Sequence, residues 1–132
     1  MKIPCRQILK ETEVAAAETL MMHTDVILDS LFGTGLKKPV SGAELAAIHI
    51  VNKCGKNVIA VDVPSGLDAD SGQILGDAVR AKLTATLGIP KKGLFEGSGP
   101  ALAGRVAVID IGLPRELIRR YPGALDTRTP FC

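Results

Sequence analysis

"DVILDSLFGTGLKKPVSGAELAAIHIVNKCGKNVIAVD", residues 25–62, decides the fold. Its opening, 25–30, is a short β-branched apolar run that closes on Asp29. The "LFGTGLKKP" that follows carries two glycines and a proline, so a strand gives way to a loop. Ser41, with Glu44 three positions on, forms a capping-box pattern. Leu45, Ile48, Val51 and Cys54 then make an apolar stripe that stops at Gly55, which predicts a helix over 42–54. "NVIAVD", 57–62, is a second continuous apolar run, the kind buried on both faces of a parallel sheet. Strand, helix and strand in that order close almost always as a right-handed crossover, so the two strands are expected to be parallel neighbours with their carboxyl ends on one edge.

Outward from this unit, Val14, Ala17 and Met21 recur at helical spacing and glutamates occupy the early turns, predicting a helix over 12–22. "LTATLGIP", 83–90, and "RVAVIDIGLP", 105–114, supply two more strands. The glycine-rich "KKGLFEGSGPALAG" separates them, and within it 93–100 reads as a flexible loop. "RELIRR", 115–120, reads as a short helix after Pro114, with cations at its C-terminal end. The tail from Tyr121 has no periodicity and is expected to be loosely held.

The chain has 132 residues, 46% of them hydrophobic, with a mean hydropathy of +0.24; this suits one core and one domain over 1–132. A net charge of +2 from 16 basic and 14 acidic residues is far from the dense basic face of a nucleic-acid binder. At 3% aromatics, stacking platforms for bases are lacking too. Cys5, Cys54 and Cys132 are odd in number and far apart, which fits neither a disulfide framework nor a zinc site and points to a reduced, cytoplasmic setting. No run has the length of a signal-peptide core or a membrane span, so the chain is expected to be soluble, with no membrane partner.

In open α/β sheets ligands gather beyond the carboxyl ends of the strands, and both Asp29 and Asp62 fall there. Neighbouring parallel strands lie about 4.8 Å apart, so two carboxylates at equivalent ends repel unless something balances them. The candidates are a bound metal, a shared proton that makes one Asp a general acid, or Lys37 and Lys38. The competing account is that each Asp caps its turn through its own side chain. "PSG", 64–66, presents carbonyls and a hydroxyl to whatever Asp62 faces, but is also an ordinary turn. "GTGLKKP", 33–39, lacks the full spacing of a phosphate loop. Asp68, Asp70 and Asp77 read as solvated surface, and His49 as a surface or boundary residue.

Taken together, "DVILDSLFGTGLKKPVSG", "VIAVDVPSGLDADSG", "VRAKLTATLGIPKKGL" and "GRVAVIDIGLP" resemble the NAD(P)H-hydrate epimerase family, the YjeF N-terminal domain. The resemblance implies a Rossmann-like three-layer α/β/α sandwich with a mostly parallel sheet. It also implies interconversion of the R and S epimers of hydrated NADH or NADPH, with a bound potassium ion. By the same resemblance Asp29 and Ser65 match potassium-binding positions. Gly33, Thr34, Gly35, Leu36, Lys37, Lys38 and Pro39 match the substrate-binding loop, and Asp62 a substrate-contacting carboxylate, the candidate acid or base. The family pattern begins with an Asn- and Gly-rich phosphate loop that nothing in residues 1–24 matches. The expectation is therefore an N-terminally truncated domain whose missing half comes from a homodimer partner or another chain. The alternatives are a non-catalytic ligand-binding or oligomerisation module of the same fold, or an inactive fragment.

Overall fold

A computed structural model describes residues 4–114 and residue 116. Its elements are α1 (Glu11–Met22), β1 (Val26–Asp29), α2 (Gly42–Lys53), β2 (Asn57–Val61), β3 (Leu83–Leu87), a 3-10 turn (Lys92–Leu94), α3 (Gly99–Leu102) and β4 (Arg105–Ile109). The helix expected over 115–120 and the tail beyond it lie, residue 116 apart, outside the described residues.

The four strands form one parallel sheet in the order β1-β2-β3-β4, with Asp29 beside Ala60, Ala60 beside Thr84 and Thr84 beside Val106. This is the Rossmann-like arrangement expected from the crossover unit. Two strands end earlier than the apolar runs suggest. β3 stops at Leu87 because Gly88 takes a left-handed turn with φ +69°, and β4 stops at Ile109. Ser41 does stand at the N-cap of α2, but its side chain makes no capping bond, so only the position half of the capping-box expectation is met.

Side chains alternate across the pleat, and one face of the sheet is covered along its whole width. Under β1 and β2, Ile48 and Val51 of α2 pack with Val40, Val58 and Val79, and Met21 of α1 closes the rim. Under β3 and β4, Val63, Leu67, Ala69, Ala78, Leu94 and Leu102 form a second cluster. The segment 93–100 is therefore not a loose loop. Leu94 and Leu102 are buried, and Gly93 and Gly99 let backbones approach so closely that an added Cβ would sit 2.2 Å from the Asp68 carbonyl oxygen and 1.9 Å from that of Gly93. Ile48 has no exposed surface, and removing its side chain to Ala would cost about 2–5 kcal/mol in transfer and cavity terms.

The opposite face is open among the described residues. Val26 and Leu28 are exposed, Leu87 is exposed at its end, and Ile59, Val61, Leu83 and Ala85 between them are half-buried. Of the three layers the resemblance implies, the described residues supply the sheet and one helical layer. No helix among them is long and apolar enough to cross a membrane.

Candidate active site at the carboxyl edge of the sheet

Asp29 ends β1 on the covered face and is only 3% exposed. A carboxylate in such a place needs donors. It has them: the Ser65 amide at 2.8 Å, the Ser65 hydroxyl at 2.6 Å and, more weakly, the Leu31 amide at 3.4 Å. The Ser65 oxygen in turn accepts from the Phe32 amide at 2.9 Å. The turn after β1 and the turn after β2 are thus knotted together by one charged acceptor and one hydroxyl.

Asp62 follows β2 by one residue and leaves the plane of the sheet. It is the only described non-glycine residue at positive φ (72°), a conformation aspartate tolerates better than most residues but which costs about 1–2 kcal/mol. Its amide donates to the Ala85 carbonyl at 2.9 Å. Its Oδ1 accepts from the Leu87 amide at 3.0 Å, the Thr86 hydroxyl at 3.4 Å and the Lys91 ammonium. Its Oδ2 accepts no hydrogen bond from any described residue, and it is not sealed from solvent. One oxygen is anchored and the other is open.

The two carboxylates therefore share an edge, as their strand-end positions predict, but each has its own partners and no hydrogen bond joins them. The balancing charge is not Lys37 or Lys38. Lys37 turns outward to Asp70 at 2.8 Å and Asp68 at 3.7 Å, and Lys38 is exposed. The cation at Asp62 is Lys91, which sequence reasoning passed over; its one signal was the "PKK" directly after a strand.

Asp68 is not simply solvated. Its side chain is 13% exposed and accepts from the Ser71 amide at 2.7 Å and hydroxyl at 2.8 Å. The Ser71 amide bond, more than any other contact, holds its carboxyl below the usual aspartate range. Lys37 is raised above its ordinary value, first by its hydrogen bond to Asp70. Asp77, half-buried, bonds the Ala78 amide and lies 3.2 Å from the exposed His49, so it too departs from a purely solvated reading.

The segment 33–39 leads from β1 back towards α2. Its Leu36 packs into the core under β1, whereas Gly33, Thr34, Gly35, Lys37, Lys38 and Pro39 are exposed. Around Gly33 and Gly35 an added Cβ would meet nothing within 4 Å, so their backbone borders open space. At Gly66, by contrast, the same atom would lie 1.9 Å from the Asp77 carbonyl oxygen. Glycine serves packing in one turn and leaves a bare, approachable backbone in the other.

The oxygen pair of Asp29 and Ser65 fits part of a monovalent cation site. A carboxylate offers about four lone-pair directions and a hydroxyl two, so each group keeps an unused direction after the bonds above. No cluster of three or more His, Cys, Asp or Glu side chains exists among the described residues, so any cation here must draw its remaining ligands from carbonyls or water.

A profile described as YjeF-related protein N-terminus matches residues 5–93. A bifunctional NAD(P)H-hydrate repair enzyme Nnr from Moorella thermoacetica is 39% identical over 111 residues, covering 84% of this chain and 21% of that protein. An NAD(P)H-hydrate epimerase from Limosilactobacillus fermentum is 45% identical over 97 residues, 74% of this chain and 47% of the relative. One from Weissella koreensis is 46% identical over 99 residues, 74% and 45%. The chain thus spans less than half the length of each of these curated relatives.

Proposed function

Because the chain belongs to the family of YjeF-related protein N-termini, we propose that it interconverts the R and S epimers of hydrated NADH or NADPH at the carboxyl edge of its sheet. The observation that carries the chemistry is the asymmetry of Asp62, with Oδ1 fixed by three donors and Oδ2 open. In the hydrated ring one carbon bears a hydroxyl and adjoins the ring nitrogen. Inversion breaks that C–O bond as the nitrogen lone pair forms C=N and the hydroxyl leaves as water with a proton from solvent. Water then adds to the other face, its oxygen closing the new C–O bond while the C=N pair returns to nitrogen. Asp62 accepts the proton that this water must lose, and no net oxidation occurs.

The exposed backbone of 33–35 is the natural seat for the nucleotide, since free N–H groups there can approach phosphate oxygens. Potassium belongs to the same reading, with Asp29 and Ser65 as two of its oxygen donors. Bound there, the ion would supply a fixed positive charge. A second copy of the chain, or a partner chain, over the open sheet face completes the proposal, as does a reducing cytoplasmic setting that keeps Cys5 and Cys54 as free thiols.

The test adds the purified chain to an epimeric mixture of hydrated NADPH with an S-specific dehydratase, with and without potassium. Faster loss of the R form is expected. No acceleration in either condition rejects the reading.

A further inference from the structure

We propose that Lys91 is a positioning residue that holds Asp62 against the end of β3 and so keeps Oδ2 turned to the substrate; this rests on the reading of the site given above. β3 ends at Leu87, the chain reverses at Gly88, and Lys91 folds back over the strand end. Its ammonium donates to the Leu87 carbonyl at 2.8 Å and to Asp62 Oδ1. The same Leu87 residue donates its amide to the same Oδ1 at 3.0 Å. Asp62, Leu87 and Lys91 therefore close a ring of three hydrogen bonds; removal of the ammonium leaves Oδ1 with its two neutral donors, the Leu87 amide and the Thr86 hydroxyl, and the Leu87 carbonyl with the Ile89 amide at 2.8 Å.

Three features separate this pair from an incidental surface ion pair. Both side chains are only 19% exposed, so salt and water screen the attraction weakly. Lys92, the next residue, shows the ordinary outcome: it is 70% exposed and reaches Glu96 four residues on. And the carboxylate Lys91 grips sits on the described non-glycine residue held at positive φ, a conformation that persists only where surrounding bonds enforce it. The Leu87 amide and the Thr86 hydroxyl are neutral donors; the ammonium supplies the charge-assisted bond, roughly twice as strong as a neutral one.

The experiment is a double-mutant cycle on epimerisation with Lys91→Met, Asp62→Asn and both together, plus Lys91→Arg. Lys91→Met should lower kcat by roughly ten- to a hundredfold, the loss that accompanies one charge-assisted hydrogen bond, with a smaller change in KM. In the Asp62→Asn background the same change should lower kcat little further, because Lys91 acts through Asp62. Lys91→Arg should recover part of the rate. Equal losses in both backgrounds would overturn the proposal. A second readout needs no turnover: in amide NMR spectra Lys91→Met should shift the Leu87 amide and speed its exchange, while the Phe32 and Ser65 amides hold theirs. An unchanged Leu87 amide overturns the positioning role whether or not the wild type epimerises. A wild type that fails to epimerise while its Leu87 amide responds defeats the assigned reaction and leaves the positioning role standing.

Discussion

Ser65 closes on Asp29 twice, through its amide at 2.8 Å and its hydroxyl at 2.6 Å, across 36 positions of sequence. Ser65→Ala removes the shorter bond and also deprives the Phe32 amide of its acceptor. With the carboxylate still buried, unfolding by urea should show a loss of about 1.5–3 kcal/mol, the range for a hydrogen bond to a charged group. A loss under about 0.5 kcal/mol, the level of an ordinary surface change, would mean the knot contributes little.

If potassium uses those same oxygens, it binds the folded chain and not the unfolded one. Stability then rises with its concentration, by about 2.7 kcal/mol at a hundred times Kd. Thermal melts in potassium chloride should exceed those in tetramethylammonium chloride at equal ionic strength, and Asp29→Ala should abolish the difference. Equal melts in the two salts would exclude a site at Asp29 and Ser65.

Asp62→Asn preserves the shape of the side chain and its tolerance of positive φ, and keeps an oxygen for the Leu87 amide. What it removes is the charge and, on the proposed function, the base. Turnover should fall roughly 10²- to 10⁴-fold, the usual contribution of a positioned general base, while circular dichroism stays unchanged. Wild-type turnover in this variant would reduce Asp62 to a hydrogen-bonding contact.

Much of this edge was legible in the sequence because apolar runs that end in aspartate, joined by one helix, can be arranged in few ways. Asp29 and Asp62 fall where that logic puts them. Lys91 was not legible, because its partner lies 29 residues away and the pair depends on β2 and β3 being neighbours and on the reversal at Gly88. By composition Lys91 and Lys92 are indistinguishable, yet one is half-buried in the site and the other faces solvent. The glycines of 93–99 misled for a related reason: the residue that loosens a chain is also the one that lets two backbones touch. The run "NVIAV" reads as buried on both faces, whereas Ile59 and Val61 are half-exposed on the open side, since periodicity reports what a strand can bury and not what is there to cover it.

The turn around Asp68 should carry a pH signature. Its carboxyl is held low chiefly by the Ser71 amide, so the folded form gains stability that is complete above the ordinary aspartate value of about 3.9 and is lost as pH falls through the lowered one. Lys37 is raised, so its contribution is complete below the ordinary lysine value of about 10.4 and is lost as pH rises beyond it. The Lys37 pair with Asp70 is exposed and should vanish in high salt, whereas the Asp68 turn should not. Asp68→Asn should therefore flatten the fall of melting temperature on acidification relative to the wild type, and an identical acid slope would show that the turn is not coupled to folding.

Glycines kept for packing and glycines kept for a ligand should respond differently to an added methyl group. Gly66 lies at φ +93° with the Asp77 carbonyl oxygen 1.9 Å from where a Cβ would stand, so Gly66→Ala combines backbone strain with a clash that no rotamer relieves. It should cost roughly 3 kcal/mol or more and lower the melting temperature sharply. Gly33 and Gly35 face open space and need no positive φ, so Ala at either position is sterically free and should change stability by less than about 1 kcal/mol, even in the favourable direction through the unfolded chain. On the proposed function, the methyl group would nevertheless stand where a phosphate approaches the backbone. Gly33→Ala and Gly35→Ala should therefore raise KM for the hydrated nucleotide while the melting temperature stays within about 5 °C of the wild type. Unaltered kcat/KM in both variants would remove 33–35 from the substrate site, because bare backbone that tolerates a side chain without consequence is only the path by which β1 reaches α2.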